Sequence, residues 1–335
     1  MTRPGMIRAV IAESAGGQPK VVTINRPEPA RGEVLVRIKV SAVNPLDLKI
    51  RAGQAAHARQ SLPAVLGIDL AGVIEKVGEG VTAFRPGDEV YGMTGGVGGI
   101  QGSLAEYAAV DARLVAVKPA NLSMREAAAL PLGFITAWEG LMDRAAIRAG
   151  QKVLVHGGAG GVGHLAIQIA TAQGAEVFAT GSAASAKVIA RFGATPIDYR
   201  TSSVESYLAE HTGGDGFDVV FDTVGGKTLD ASFTAVRHFG HVVSALGWGT
   251  HALAPLSFRA ATYSGIFTLL PLLTGEGRAH HGAIMGEATK LAEAGKLVPL
   301  IDARRFGLSE VSAAHEAVRN GDAAGKVVID IAEVS

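Results

Sequence analysis

The sequence predicts an α/β chain of two domains, one mostly β and one built on a doubly wound parallel sheet. Three observations carry that expectation. The chain has 335 residues, about enough for two domains. Its composition, 48% hydrophobic and 19% charged with 44 glycines, suits buried sheets and argues against disorder. Its apolar pattern changes near residue 126, from short strand-like runs to strands that alternate with helices.

"MIRAVIAE", "PKVVTI" and "EVLVRIKVSAV" alternate or run apolar with β-branched residues, so residues 6–42 read as short strands. "VLGIDLAGVIEKVG" and "DEVYGMT" continue in that style, and "RPGDEV" is a turn leading into a strand. Residues 1–126 therefore read as mostly β. Ser123 followed by Glu126 fits a capping box, and Pro131 marks a break or restart in the helical spacing of Leu130, Phe134, Leu141 and Ile147. Strands and helices then alternate. "KVLVHG", "EVFAT", "TPIDY", "FDVVFDTV" and "HVVSALG" are strands. "GHLAIQIATAQG", "SAKVIARFG", "SVESYLAEHTG" and "KTLDASFTAVRHFG" are helices. Near-continuously apolar strands in that alternation are the pattern of a parallel sheet covered on both faces. After about residue 273 come two amphipathic helices, "HHGAIMGEATKLAEAGKL" and "EVSAAHEAVRNG", and a terminal strand, "GKVVIDI". These pieces are too few for a domain and are expected to pack back on the first. The predicted domains are 1–131 with 274–335, and 132–273.

Gly158, Gly160 and Gly163 form G-x-G-x-x-G between a strand and a helix. One glycine permits the turn, one lets backbone approach a pyrophosphate, and one lets helix and strand pack closely. Unpaired helical N–H groups then face the anion. Gly161 and Val162 complete the loop. About 20 residues on, an acid would grip the ribose diol of NAD. Here the second strand ends in Gly181-Ser182, and the next charged side chain is Lys187. A carboxylate there would repel a 2′-phosphate, whereas a hydroxyl and an ammonium accept it, each charge-assisted hydrogen bond being worth about 1.5–3 kcal/mol. Tyr199 and Arg200, after the third strand, are placed to cover the adenine or its ribose phosphate. The expected cofactor is NADP(H).

Other classes are disfavoured. The net charge is zero, with acids and bases interleaved, so no basic surplus exists for nucleic acid or anionic lipid. There are no cysteines, which removes disulfides, thiol nucleophiles and cysteine-ligated zinc. The longest apolar stretch, "SGIFTLLPLLTG", is shorter than the roughly 18–20 residues of a membrane span and contains Pro271. "MTRPGMIRAV" lacks a signal-peptide core, so a cytoplasmic location is expected. His280 and His281 are adjacent, poor spacing for one metal, and are expected to begin a helix. His238 and His241 flank Gly240 at a strand start and read as surface or packing residues. No metal site is expected. "GMTGGVGGIQGS" is glycine-dense but has no helix behind it, and reads as a mobile loop rather than a second phosphate site. Trp248, Phe258, Tyr263 and Phe267 either line an apolar substrate slot or pack a core or dimer interface.

Taken together, "AGVIEKVGEGVTAFRPGDEVYG", "GSLAEYAAV", "AAALPLGFITAWEGL", "VLVHGGAGGVGHLAIQIA" and "FDVVFDTVGG" resemble the medium-chain dehydrogenase/reductase superfamily, and within it the zinc-free quinone oxidoreductase and enone oxidoreductase group. The resemblance covers nearly the whole length. It implies a GroES-like β domain plus a Rossmann-type domain, a cofactor between them, and a homodimer. Zinc-binding cousins place a cysteine where Asn44 stands and Gly-His-Glu where Gly67, Ile68 and Asp69 stand. With the first two ligands gone, a zinc-type alcohol dehydrogenase is disfavoured. The "NPLDLKIRAG" segment departs from the zeta-crystallin type, which has tyrosine at Lys49, and resembles the enone branch.

Carried over by motif, the resemblance implies Asn44 near the nicotinamide and Lys49 near the cofactor ribose or the substrate oxygen, both as candidate catalytic residues. It implies Thr136 in the nicotinamide region, and Val224 and Gly225 meeting it through backbone. Leu246 and Gly247 follow at the next strand end, and Gly325 and Lys326 come from the returning tail. Asn44 also fits an Asx turn before Pro45, and Asp47 a helix cap. The implied function is zinc-independent, NADPH-dependent hydride transfer to small-molecule quinones or to the C=C bond of α,β-unsaturated carbonyls. The alternative left open is a non-catalytic NADPH-binding protein on the same scaffold.

Overall fold

The computed structural model describes residues 5–331. Residues 1–4 and 332–335, the outermost of the first predicted domain, lie outside the described residues. The chain divides into two compact units. Unit 1 runs to Leu132 and resumes over Leu269–Gly295 and from Pro299 onward; unit 2 is Gly133–Thr268 with Lys296–Val298.

The first stretch of unit 1 contains β1 (Met6–Ala12), β2 (Lys20–Asn25), β3 (Glu33–Ala42), α1 (Pro45–Arg51), β4 (Ala64–Val65), β5 (Asp69–Val77), β6 (Glu89–Met93), β7 (Tyr107–Asp111), β8 (Val115–Val117) and α2 (Met124–Ala128). β1 pairs antiparallel with β2 on one side and β4 on the other. β2 alternates between exposed and half-buried positions, as an edge strand should. β3 is buried along most of its length because it pairs with both β5 and β7. Ser123 caps α2, with Ser123 N donating to Glu126 Oε2 at 2.8 Å, as the capping-box pattern predicts.

Next come α3 (Pro131–Trp138), β9 (Lys152–His156), α4 (Gly163–Ala172), β10 (Glu176–Gly181), α5 (Ala186–Arg191), β11 (Thr195–Asp198), α6 (Val204–Thr212), β12 (Phe217–Asp222), α7 (Lys227–Ala235), β13 (Val236–Ser244), α8 (Ala254–Phe258) and β14 (Thr262–Gly265). Unit 2 carries a six-stranded parallel sheet in the order β11-β10-β9-β12-β13-β14. Val153, Leu154 and Val155 of β9 and Val220 and Phe221 of β12 are fully buried, which explains their unbroken apolar run. The chain winds outward in both directions from β9, so β9 and β12 flank the topological switch point.

Unit 1 is completed by α9 (Leu270–Thr274), α10 (Arg278–Glu293), β15 (Phe306–Gly307), α11 (Val311–Arg319) and β16 (Val328–Asp330). β16 pairs antiparallel with β3, and its neighbour β15 ends the seven-stranded sheet. Tyr91 of β6 donates its hydroxyl to the Met285 carbonyl of α10 at 2.9 Å. His280 and His281 lie in the first turn of α10, as expected.

Two local expectations need correction. "KTLDASFTAVRHFG" is helical only to Ala235; Val236 turns extended at ψ 141° and opens β13. Its register then jumps a bulge that leaves Phe239 at φ 61° and 80% exposed, a local path that periodicity does not reveal. Asp47 caps α1 as expected, though from the third helical position: Asn44 is the N-cap, and Asp47 Oδ2 accepts from Asn44 N at 2.7 Å to form a capping box. The Asn44 side chain also reaches distant residues, Asp69 and Lys326. The "GMTGGVGGIQGS" segment is packed rather than loosely held. A Cβ on Gly95 would lie 2.0 Å from the Gln101 carbonyl oxygen, and one on Gly102 would lie 2.2 Å from that of Leu66, so these glycines serve close backbone approach. Two features gave no sequence signal, the edge strand β14 and a π-helical turn over Glu139–Arg144.

Candidate active site

In unit 2 the phosphate-type loop joins β9 to α4 at the switch point. Gly158 N donates to the Thr180 carbonyl at 2.9 Å and Gly160 N to the Gly157 carbonyl at 2.9 Å, which fixes the turn against β10. The glycines then divide by function. A Cβ on Gly158 would sit 2.6 Å from the Ala179 Cβ, and one on Gly163 would sit 2.1 Å from the Gly157 carbonyl oxygen, so these two serve internal packing. A Cβ on Gly161 meets nothing within 4 Å, and Gly160 and Gly161 are exposed. Open backbone at the start of a ten-residue helix, with Val162 half-buried beside it, is what a pyrophosphate cradle requires. The loop therefore fits a dinucleotide.

At the end of β10, Gly181 and Ser182 are half-buried, and Ser182 Oγ lies 3.3 Å from Ser185 Oγ. Lys187 is exposed in the first turn of α5. Tyr199 N donates to the Gly181 carbonyl at 3.2 Å, which brings the exposed Tyr199 ring and Arg200 to the same strand end. A carboxylate does stand nearby, on the adjacent strand rather than on β10 itself. Asp198 is the register neighbour of Gly181 and accepts from Arg200 N at 3.0 Å, closing the turn after β11.

Asp222, fully buried at the end of β12, organises the next loop. It accepts from Val224 N at 3.0 Å, Gly225 N at 2.9 Å and Ser244 Oγ at 2.7 Å. Ser244 Oγ in turn accepts from Leu246 N at 3.1 Å, and Thr223 Oγ1 donates to the His156 carbonyl at 2.6 Å. Val224, Gly225, Leu246 and, next to it, Gly247 are thus held at the carboxyl ends of β12 and β13. Burial holds the His156 imidazole down at about 4, so it is neutral; Nδ1 lies 3.1 Å from Thr180 Oγ1. Thr136 on α3 is buried, 3.1 Å from Thr268 Oγ1, which donates to Glu139 Oε2 at 2.9 Å. Trp248 and Phe267 stack edge to face, while Phe258 is 81% exposed and lines no slot.

In unit 1 a second cluster forms from residues far apart in sequence. Asn44, buried at the head of α1, donates Nδ2 to Asp69 Oδ2 at 2.9 Å, and its Oδ1 accepts from Lys326 Nζ. Lys326 Nζ also lies 3.7 Å from Asp69 Oδ2, and Asp69 Oδ1 accepts from Leu132 N at 3.0 Å. Asp47 Oδ2 accepts from Asn44 N at 2.7 Å, while its buried Oδ1 has no hydrogen-bond partner. Burial raises both carboxyls above the usual range, Asp47 to about 7. Gly325 brings Lys326 to this cluster. Lys49 is not part of it: two residues from Asp47 on the same helix it faces elsewhere, and it is exposed. Sequence reading named Asn44 and Lys326 but gave no chemical part to Asp47 and Asp69. The available signal was a carboxylate embedded in an apolar run, "LGIDLAG".

Among the described residues no three His, Cys, Asp or Glu side chains converge as a metal site, and no helix is long and apolar enough to cross a membrane.

Residues 192–329 match the family described as zinc-binding dehydrogenase, and residues 30–120 match the alcohol dehydrogenase GroES-like domain. The chain is 38% identical to a 2-methylene-furan-3-one reductase of Solanum lycopersicum, over 90% of this chain and 73% of that one. It is 36% identical to an Arabidopsis thaliana chloroplastic NADPH-dependent alkenal/one oxidoreductase, with the same coverage. Among solved structures, an alcohol dehydrogenase superfamily protein from Novosphingobium aromaticivorans superposes with a TM-score of 0.96 at 56% identity, covering 97% of this chain and 100% of that one.

Proposed function

The chain belongs to the medium-chain dehydrogenase/reductase superfamily, and from that premise we propose that it is an NADPH-dependent, zinc-independent reductase of α,β-unsaturated carbonyls and quinones. The observation that carries this reading is the glycine loop with its open Gly161, followed by a strand end that offers Ser182 and Lys187. The names of the two curated relatives support the same reading.

When bound, the dinucleotide would supply hydride for the β-carbon of the acceptor, and solvent would supply the proton for the α-carbon. The backbone of Gly160, Gly161, Val162 and Gly163 would hold the pyrophosphate. Ser182, Lys187 and Tyr199, with Gly181, would hold the phosphorylated ribose. Asp222 and Ser244 fix the loops of Val224, Gly225, Leu246 and Gly247 against which the nicotinamide would rest, with Thr136 beside it. Within unit 1, Asn44 and Lys49 are the candidate catalytic residues, and Gly325 and Lys326 are candidates for cofactor contact. No zinc is invoked, because Asn44 and Ile68 replace two of its ligands. A quinone is a cyclic enedione, so one electrophilic pattern covers both acceptors.

The edge strand β14 and the exposed Phe239 and Phe258 support a homodimer formed along that sheet edge. Fluorescence titration with NADPH and NADH, followed by NADPH consumption across enones and quinones with product identification, tests the reading. Tighter binding of NADH than NADPH, or no consumption above background, would overturn it.

A further inference from the structure

Among the described residues Lys326 is the one cation of the buried cluster in unit 1, and its surroundings are built rather than incidental. Its backbone is fixed on both sides: Lys326 N donates to the Leu300 carbonyl at 2.7 Å, and Asp302 N donates to the Lys326 carbonyl at 3.0 Å. Gly325 makes that path possible. Its φ is 147°, and a Cβ there would lie 2.7 Å from the Leu300 carbonyl oxygen. The side chain is 9% exposed and the facing Asp69 carboxylate 0%. The ammonium donates one hydrogen bond, to Asn44 Oδ1, and forms an ion pair with Asp69 Oδ2 at 3.7 Å, which leaves an N–H for a ligand. Asn44 is itself locked, by Asp69 on its side chain and Asp47 on its backbone. Asp69 and Lys326 balance each other, whereas Asp47 has no cation of its own and one oxygen with no partner.

We propose that Lys326 is an electrophilic catalytic residue, whose remaining N–H binds and stabilises the oxyanion that develops on the carbonyl oxygen of the acceptor. A preorganised ammonium that is largely shielded from solvent does this without reorganisation as charge appears. The geometry favours Lys326 over Lys49, because an exposed lysine is screened by water and its long side chain must be ordered first. The step transfers no proton to or from Lys326: the ammonium donates a hydrogen bond and keeps its charge. The proposal rests on the reductase reading for its physiological meaning, but the oxyanion site can be tested without it.

The test uses the full chain and 4-nitrophenol as the probe, whose phenolate carries a carbonyl-like oxyanion visible by absorbance. Lys326→Met alone leaves Asp69 buried without its cation, so Lys326→Met/Asp69→Asn, which removes both charges, is measured beside it. The wild-type chain is expected to bind the phenolate in preference to the phenol and about tenfold or more tighter than the double variant does. NADPH-dependent turnover of 3-buten-2-one by the double variant is expected to fall about 100-fold, with partial recovery in Lys326→Arg. A double variant that folds and retains both phenolate preference and turnover would reduce Lys326 to a counter-ion for Asp69 and end the proposal. Phenolate binding that depends on Lys326 in a chain that oxidises no NADPH would uphold the oxyanion site and overturn the reductase reading instead.

Discussion

Asn44 Nδ2 donates to Asp69 Oδ2 at 2.9 Å, joining the head of α1 to the first residue of β5 inside unit 1. The bond places an amide between a carboxylate and an ammonium, and it leaves Asp47 as the unbalanced acid of the cluster.

Asp47 should make stability fall with rising pH. Burial raises its folded pKa to about 7, against about 3.9 in an unfolded chain. The folded state therefore keeps a proton that the unfolded state releases. This contribution is fully present below about pH 4 and is lost as pH rises through about 7. Asp47→Asn keeps a neutral acceptor for Asn44 N. Its melting temperature relative to wild type should rise between pH 5 and pH 8, as thermal scans at both values would show. A difference that stays flat with pH would mean that Asp47 is ionised throughout.

The loop glycines should separate into two classes. Gly163→Ala drives a Cβ to 2.1 Å from the Gly157 carbonyl oxygen and should cost about 1–3 kcal/mol of stability. Gly161→Ala meets no atom within 4 Å and should leave the melting temperature almost unchanged while weakening NADPH binding about tenfold or more. Calorimetry and fluorescence titration on both variants provide the comparison, and unchanged affinity in Gly161→Ala would move the pyrophosphate elsewhere.

Ser182→Asp should turn cofactor preference from NADPH towards NADH. The new carboxylate repels a 2′-phosphate and accepts from a ribose diol, a change of about tenfold or more in the affinity ratio. Titrating both dinucleotides into both proteins measures that ratio directly.

Lys49→Ala should lower turnover about tenfold or more with little effect on stability, since Lys49 is exposed. Steady-state rates beside a thermal scan separate the two effects, and wild-type rates would remove Lys49 from the site.

Much of this was legible because the signals are local. The strand–glycine–helix spacing around Gly158 and the unbroken apolar runs of β9 and β12 reflect contacts within one unit of chain, so a linear reading reaches them. The capping pair Ser123 and Glu126 is legible for the same reason. The Asn44–Lys326 bond spans 282 positions, and no periodicity encodes it. The switch from α7 to β13 at Val236 was hidden because "AVRHFG" has acceptable helical spacing, and sheet pairing overrides propensity there. Asp198 was missed because register, not sequence distance, sets it beside Gly181.

The pairing of β16 with β3 has a bearing on how the chain matures during synthesis. The strands of unit 2 all lie between Lys152 and Gly265, so its sheet can close while translation is still under way. The larger sheet of unit 1 must wait, with residues 40–42 of β3 uncovered on one side, until residues 328–330 have left the ribosome. The early half of the protein is thus the last to finish folding, and a nascent chain stalled before that point would display an open strand edge to chaperones and proteases.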